Sequence, residues 1–460
     1  MTGTSKSTER KLNIVKATDT VVNEEAKVMD SSDMSDIEYI TDYGVRILPS
    51  GKTYSLDDRA TGLNNNLIIC GAPGSNKTRG CVIPNLLNCQ GSYIVTDPKG
   101  NLYRQYHEYL ESKGYRVLRI SFTHPEVSAH WNPLRYLKST HDILKITNVL
   151  IYDNDRGYNH DPFWDEASQF LLNAVIAYTL ESFRDGDKRR TFHTIPALIR
   201  KAGREKDLEQ KSELNSLFLK LKALNPKSWA VKQWENVNIA PAKTFNTVCA
   251  TSLSKFSAMD TEELAEMMSF DEVDLKSIGM RKTAVFIEAS DTDRSMDNLL
   301  SLFFQQAISK LCELADEQEN SQLPVPTTLI MDDFGTSIFL PDFDKNLANI
   351  RSRKISAVLV IQSLAQLEAS YGKKASTIID CCDRFCYLGG SDVSTAEYIA
   401  TKVNKPVNSV LSMPLKSCWT FERGSAPTFA STLNLDDWMD TNGITEDMLH
   451  PSPEITEEEK

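Results

Sequence analysis

Residues 65–87, NNLIICGAPGSNKTRGCVIPNLL, decide the fold of this chain. The apolar run Leu67–Cys70 has the length of a buried strand, and the residues that follow Thr78 run on as a helix. Between them lies GAPGSNKT, which has the spacing of a phosphate-binding loop except at Asn76, where the general pattern has a glycine. The stretch therefore predicts a strand, a phosphate-binding turn and a helix, with one departure that bears on function.

The chemistry expected of this loop is the binding of a nucleotide phosphate. Successive backbone N–H groups would point at the anion, and the positive end of the following helix would add to them. Lys77 would reach the β- and γ-phosphates, and the Thr78 hydroxyl would ligate Mg²⁺. ATP and Mg²⁺ are therefore the predicted ligands, and an ordinary glycine-bearing turn is the alternative. The residues predicted to contact the nucleotide are Gly71, Ala72, Pro73, Gly74, Ser75, Asn76, Lys77, Thr78 and Arg79.

Asn76 changes the expected geometry of the loop. A glycine at this position adopts positive φ without strain and leaves no side chain near the ligand. Asparagine is the next most tolerant residue in left-handed backbone, so the loop can keep its shape. Its amide would still add bulk beside the phosphates. We expect binding to survive with a less favourable geometry.

The second half of the chain supplies candidate catalytic residues. The stretch TTLIMDDFG places Asp332 and Asp333 at the end of an apolar strand. Asp332 is predicted to hold Mg²⁺ through water, and Asp333 stands where many such ATPases have a glutamate as base. Because aspartate is one methylene shorter, turnover would fall on the order of a hundredfold. Gln362, at the end of ISAVLVIQS, would orient the attacking water or sense the γ-phosphate. A solvent-facing acid pair and a loop-capping glutamine are the alternatives.

Basic residues offer weaker signals. Three arginines are candidates for a finger that a neighbouring subunit would supply, although most arginines lie on solvated faces. They are Arg351, Arg353 and Arg384. The residues Lys188, Arg189 and Arg190 could meet DNA phosphates, and such binding would weaken with salt. A solvated helix end and loop is the favoured interpretation of that stretch.

The pattern of elements predicts an α/β fold divided by helices. Short apolar strands alternate with helices from residue 66 to about 137 and again from about 271, which indicates parallel strands with crossover connections. The residues between have helical period, and Ser391 is the expected cap of a late helix. The predicted limits are a polar N-terminal tail at 1–40, an α/β domain at 41–137 and 271–437, an all-helical insertion at 138–270, and an acidic tail at 438–460.

Composition bounds the function classes. The chain has 460 residues, a net charge of −12 and nine cysteines without a CxxC pair. The charge does not favour a protein that coats nucleic acid over its whole surface, and the cysteines indicate a reducing cytoplasm. No secretory signal is present, and no run of the sequence is apolar over the length of a membrane-spanning helix.

A series of stretches in a fixed order resembles a known family. They are GAPGSNKTRG, SYIVTDPKGNLYR, HWNPLRYL, DPFWDEASQFLLNAVIAYTL, TTLIMDDFGTSIFLPDFDKNLANIRSRKISAVLVIQSLAQLEASYG and CDRFCYLGGSDVSTAEYIATKV. The series resembles the type IV coupling proteins of conjugative DNA transfer, of the TraG/TraD kind, over residues 65–438. The turn Asp97–Gly100 and the run Pro341–Leu367 are the most specific parts of the resemblance.

The resemblance implies a RecA-like P-loop NTPase core with an inserted all-alpha domain. It further implies a ring, usually a hexamer, that couples relaxase-bound single-stranded DNA to a type IV secretion channel at the inner face of the membrane, driven by ATP hydrolysis. Members of the family usually begin with transmembrane helices, whereas this sequence contains no apolar run of that length. We therefore expect this chain to contact the membrane only through partners. Asn76 and Asp333 leave open a nucleotide-binding adaptor with slow hydrolysis. A double-strand DNA translocase of the same class is a further alternative.

Overall fold

The computed structural model describes residues 44–151, 161–203, 212–290 and 292–450. The polar stretch 1–40 and the last residues, 451–460, therefore lie outside the described residues. The core is a nine-stranded sheet, and a separate two-stranded sheet precedes it in the chain. The strands are β1 Val45–Ile47, β2 Thr53–Ser55, β3 Leu67–Cys70, β4 Ser92–Thr96, β5 Arg116–Ser121, β6 Thr283–Glu288, β7 Thr327–Met331, β8 Ile355–Ile361, β9 Arg384–Tyr387, β10 Ser417–Glu422 and β11 Thr428–Ser431.

The large sheet is mostly parallel and brings distant parts of the chain together. Its strand order is β11-β10-β9-β3-β8-β7-β4-β6-β5, with β10 and β11 antiparallel at one edge. Every residue of β3, β4, β6, β7, β8 and β9 is buried, because helices cover both faces. Burial on both faces explains why these segments are mostly continuous apolar runs without alternation. The carboxyl ends of β3, β4, β7 and β8 meet at one edge of the sheet.

The helices follow the strands. They are α1 Asp58–Thr61, α2 Ile83–Leu87, α3 Asn101–Ser112, α4 Thr140–Ile151, α5 Pro162–Ser182, α6 Thr194–Arg200, α7 Glu213–Leu224, α8 Trp229–Asn238, α9 Ala242–Ser254, α10 Glu262–Met267, α11 Asp297–Asp316, α12 Phe343–Ile350, α13 Leu364–Tyr371, α14 Lys374–Asp380, α15 Val393–Val403, α16 Val407–Leu411, α17 Leu435–Thr441 and α18 Glu446–Leu449. Helix α15 differs from the expectation in its cap, since Asp392 and not Ser391 accepts the N–H of Thr395. The carboxylate at the position next to the helix is the better placed acceptor.

Helices α4–α10 lie between two neighbouring strands of the sheet. The chain leaves at the end of β5 and returns in β6, which pairs with β5 in parallel. No strand occurs in 122–282 among the residues the structure describes. The 21-residue helix α5 is capped by Asp161, whose side chain accepts the N–H of Phe163. The limits 138 and 270 for a separate all-alpha domain remain a prediction.

The segment expected as an acidic tail from residue 438 begins inside a packed helical pair. Leu435, Ile444 and Leu449 are buried in the apolar cluster that also contains buried residues of α2 and α3. Apolar side chains at three positions therefore hold residues 433–450 against the α/β core, in spite of the acidic residues between them. Within the described part of the chain, no helix has the length and apolar character that a membrane span requires.

Candidate nucleotide-binding site

The loop after β3 is fixed by its two neighbouring strands. The N–H of Gly71 donates to the carbonyl of Ile361 over 3.1 Å, and the N–H of Ala72 donates to the carbonyl of Gly389 over 2.9 Å. These bonds place the start of the loop between the ends of β8 and β9. The site therefore lies at the carboxyl edge of the sheet, where ligands bind in open α/β folds.

The turn itself has the backbone expected for a phosphate loop. Gly74 and Asn76 have φ of 76° and 73°. Asn76 therefore holds the left-handed conformation in place of the glycine. Its side chain donates through Nδ2 to the carbonyl of Leu433 over 3.2 Å, a contact that no sequence pattern predicts. The additional side chain at position 76 is thus hydrogen-bonded to the C-terminal part of the chain.

The helix after the loop begins irregularly. Residues Thr78–Val82 form a single π-helical turn before the α-helical residues Ile83–Leu87, where the sequence predicts a continuous helix. Such turns are rare and are frequent at functional sites. Thr78, Arg79 and the loop residues Gly71–Lys77 are thus contiguous at one helix N-terminus, as the predicted phosphate contacts require.

Lys77 rests on the loop that it follows. Its Nζ donates to the carbonyls of Gly71, over 2.6 Å, and Ala72, over 3.1 Å. Burial lowers the pKa of Lys77, and the charges of Asp332 and Asp333 act in the opposite direction. The lysine and the two acids of β7 are therefore brought into one electrostatic site.

Asp332 follows the last residue of β7 and is anchored by the neighbouring strand. Its N–H donates to the hydroxyl of Thr96, the last residue of β4, over 2.7 Å. Burial raises the pKa of Asp332 to about 6, with a further contribution from the charge of Asp333. Thr96 was not singled out by the sequence patterns, although a hydroxyl at the end of an apolar strand was a visible signal.

Asp333 and Gln362 are direct partners. Gln362 Nε2 donates to Asp333 Oδ1 over 3.0 Å, and the N–H of Asp333 donates to Asp332 Oδ1 over 3.0 Å. Asp333 has φ of 52°, a conformation in which aspartate is enriched. The ends of β7 and β8 therefore bring together the two residues predicted to handle the attacking water. The left-handed backbone is a reason for aspartate at this position.

The residues present fit a magnesium-bound triphosphate. A partly buried ammonium with a lowered pKa lies near a carboxyl with a raised pKa, so neither charge is fully compensated. The hydroxyl oxygen of Ser75, in the loop, is buried without a hydrogen-bond partner. A polyanion with a hard cation would satisfy all three groups. Thr78 and Asp332 are the residues that would hold the cation, since hydroxyl and carboxylate oxygens suit Mg²⁺.

The raised pKa of Asp332 predicts a pH-dependent stability. The folded protein retains the proton from about pH 3.9, the ordinary aspartate value, up to about 6. The free energy of unfolding that this group contributes is therefore lost as the pH rises through that window. We expect Asp332→Asn to raise the free energy of unfolding at pH 7.5 by about 1–2 kcal/mol. Urea unfolding at pH 4 and pH 7.5 measures it, and an equal difference at both values would contradict it.

The three arginines considered as fingers differ in their exposure. Arg384 is wrong as a finger, because it begins β9 with its side chain 1% exposed. Its guanidinium donates to Glu422 over 2.7 Å and stacks 3.6 Å from the ring of Tyr54, so it cannot reach another subunit. Arg351 and Arg353 lie on the short helix before β8 and pair with Asp58 and Asp316, respectively.

Within the basic stretch 188–190, Arg189 contacts neighbouring side chains. Arg189 donates to both carboxylate oxygens of Asp187, over 3.0 and 2.8 Å, and lies over the ring of Phe183. This arrangement agrees with the favoured interpretation as a solvated turn. The contact of these residues with DNA stays a prediction.

Comparisons with known proteins show the family to which this chain is related. The family model described as Type IV secretory system Conjugative DNA transfer matches residues 17–406. The conjugal transfer protein TraG of Escherichia coli is 23% identical over 343 residues, which cover 71% of this chain and 53% of that protein. The chain thus spans about half the length of this relative.

Solved structures share the fold. The bacterial conjugative coupling protein TrwBdeltaN70, in its trigonal form with sulphate, superposes with a TM-score of 0.64 at 14% identity, over 88% of this chain and 93% of that one. The plasmid coupling protein TrwB in complex with ADP and Mg²⁺ gives a TM-score of 0.60 over the same shares, also at 14% identity. The core is therefore a RecA-like P-loop NTPase fold, and the extent of the family match shows that the chain belongs to the type IV secretory system conjugative DNA transfer family.

Proposed function

We propose that this chain is a type IV coupling protein that binds Mg·ATP and uses its hydrolysis to move relaxase-bound single-stranded DNA toward a secretion channel. The observation that carries the proposal is the convergence of Lys77, Asp332, Asp333 and Gln362 at one edge of the sheet. These residues come from three strand ends far apart in the chain. Family membership supports the DNA-transfer part, and the TrwB complex with ADP and Mg²⁺ supports the ligand.

Each side chain would have a distinct task. Lys77, released from the two carbonyls it now contacts, would pair with the β- and γ-phosphates. The cation held by Thr78 and Asp332 would neutralise phosphate charge. Asp333 would accept a proton from the attacking water, and Gln362 would fix the orientation of both the carboxylate and the water. The hydrogen bond from Gln362 to Asp333 supports this pairing of roles.

Family membership, and not any feature of the described surface, is the basis for the partners that we propose. We propose a homo-oligomeric ring, most simply a hexamer, in which Arg351 or Arg353 of one subunit would act on the nucleotide of the next. The ring would receive cargo as a relaxosome and would contact secretion-channel proteins at the inner face of the cell membrane. Membrane contact would be made through those partners. The partial exposure of both arginines supports their candidacy.

A single assay tests the motor proposal. We expect single-stranded DNA to raise the ATPase rate several-fold at low salt and the stimulation to fall as salt rises, because phosphate contacts release counterions. Lys77→Ala measured in parallel should show neither basal nor stimulated turnover. Stronger stimulation by duplex DNA would support a double-strand translocase instead, and ATP binding with no DNA effect would support the adaptor.

The adaptor is the second candidate because two observations favour it. Asn76 replaces the loop glycine, and Asp333 replaces the longer glutamate. Both positions have left-handed backbone, with φ of 73° and 52°. In this reading the nucleotide would order the site, and cargo recruitment would not need fast turnover.

A further inference from the structure

A short C-terminal segment crosses the phosphate loop. We call residues Leu433–Asp436 the strap. The N–H of Leu433 donates to the carbonyl of Pro49 over 2.7 Å, and the carbonyl of Leu433 accepts the Asn76 amide. Leu435 is 3% exposed and belongs to the apolar cluster that includes Val82. The strap is thus attached both to the α/β core and to the one loop residue that departs from the phosphate-loop pattern.

The contact with Asn76 has a steric purpose. The side chain of an asparagine in a phosphate loop must be kept away from the space that phosphates occupy. The hydrogen bond to Leu433 directs the amide to the strap. Gly80, one turn further on, leaves room for it, because a Cβ there would lie 3.1 Å from Asn76 Nδ2. Loop, helix and strap are therefore fitted to one position of the amide.

A second contact joins the strap to the same helix turn. Arg79 donates to Asp436 over 2.8 Å, with the two side chains 55% and 73% exposed. A pair so exposed contributes little stability alone. The charge of Asp436 can nevertheless be reversed, which loosens the strap without replacing any residue that is predicted to contact the nucleotide.

We propose that Asn76 is a positioning residue whose amide is held outside the phosphate cavity by the strap, so that the strap sets nucleotide affinity. The inference rests on the proposed function, because it assigns the strap to the same nucleotide site. When the strap is loosened, the amide is free to crowd the phosphates, and affinity falls. When residue 76 carries no side chain, the strap loses its influence. With Asn76 present, the linkage is reciprocal: the strap changes nucleotide affinity, and a bound nucleotide changes the stability of the strap by the same free energy.

The test is a set of affinities for Mg·ADP, measured by calorimetry on the full chain. Asp436→Lys places two like charges where Arg79 now has a partner, and we expect it to weaken binding about threefold to tenfold, the effect of about one hydrogen bond. Asp440→Lys is the matched control: it makes the same charge change one turn further along the same helix, at an exposed position outside the strap. We expect the control to bind as the unaltered chain does.

Non-additivity identifies the role of Asn76. In the Asn76→Gly background, we expect Asp436→Lys to change the affinity by less than about 1.5-fold, because no amide remains to be positioned. An equal loss in both backgrounds overturns the inference and leaves the proposed function intact. Failure of the unaltered chain to bind Mg·ADP overturns the proposed function and this inference with it.

Hydrogen exchange gives an independent reading in the nucleotide-free protein. Asn76→Gly removes the donor to Leu433, so the amides of helix Leu435–Thr441 should exchange about threefold to tenfold faster. The amides of helix Val393–Val403 serve as the internal reference. Unchanged exchange in Leu435–Thr441 would show that the hydrogen bond does not hold the strap, and would overturn the inference.

Discussion

Lys77→Ala is expected to weaken the binding of Mg·ATP at least about a hundredfold, because it removes the cation that a partly buried polyanion would pair with. In the folded chain the ammonium rests on the carbonyls of Gly71 and Ala72 and is partly desolvated. Part of the desolvation of this ammonium has thus occurred before the ligand arrives. Calorimetry with Mg·ATP and with Mg·ADP measures the loss.

Two controls accompany the Lys77→Ala measurement: the free energy of unfolding of the variant, and the same substitution at another lysine. Because burial already opposes the charge of Lys77, we expect its removal to change the free energy of unfolding by no more than about 1 kcal/mol. Lys345→Ala removes the same side chain from an exposed pair with Asp342 and should leave nucleotide binding unchanged. Equal affinity in Lys77→Ala and the unaltered chain would refute the nucleotide site and both functions built on it.

Asp333→Asn is expected to lower ATP turnover at least about a hundredfold while leaving the affinity for Mg·ATP within about threefold, since a general base contributes about 10²–10⁴-fold to rate. The amide keeps the shape of the carboxylate, tolerates the left-handed backbone and still accepts from Gln362 through its oxygen. Only the capacity to take a proton is lost. Single-turnover hydrolysis, compared with nucleotide binding, separates the two effects.

The control for this variant lies on the same connection between β7 and β8. Asp342→Asn makes the same chemical change at a residue with φ of 53°, which pairs with the exposed lysines Lys345 and Lys374. We expect its turnover to match that of the unaltered chain. Turnover by Asp333→Asn at the full rate would remove Asp333 from the mechanism.

If the unaltered chain hydrolyses ATP slowly or not at all, the adaptor reading is favoured, and it makes a prediction of its own. The double change Asn76→Gly with Asp333→Glu would restore the usual residues at both positions and should then restore turnover. The backbone at Asp333 works against this gain, because the longer glutamate is less tolerant of a left-handed φ of 52°. The ATPase rate of the double variant, compared with that of the unaltered chain, measures the net gain.

The local sequence was sufficient for the elements of the core. The short strands predicted from residue 66 to about 137 and again from about 271 are present as β3–β9, because most of them are continuous apolar runs bounded by turn residues. The phosphate loop followed from glycine spacing, and the left-handed conformation of Asn76 followed from the tolerance of asparagine. Strands β10 and β11 were not predicted, since their position at one side of the sheet leaves seven of their ten residues partly or fully exposed and their pattern mixed.

Contacts between segments far apart in the chain were decided only by the tertiary structure. Thr96 anchors Asp332 across 236 positions, and the strap reaches Asn76 across 357 positions. Arg384, an arginine like many others in the sequence, is buried against Tyr54 and Glu422 because β9 and β10 enclose it. Periodicity records which face of an element is apolar, whereas the partner of a polar side chain depends on strand order. The sequence by itself therefore determined the kind of site, and the folded sheet decided which residues complete it.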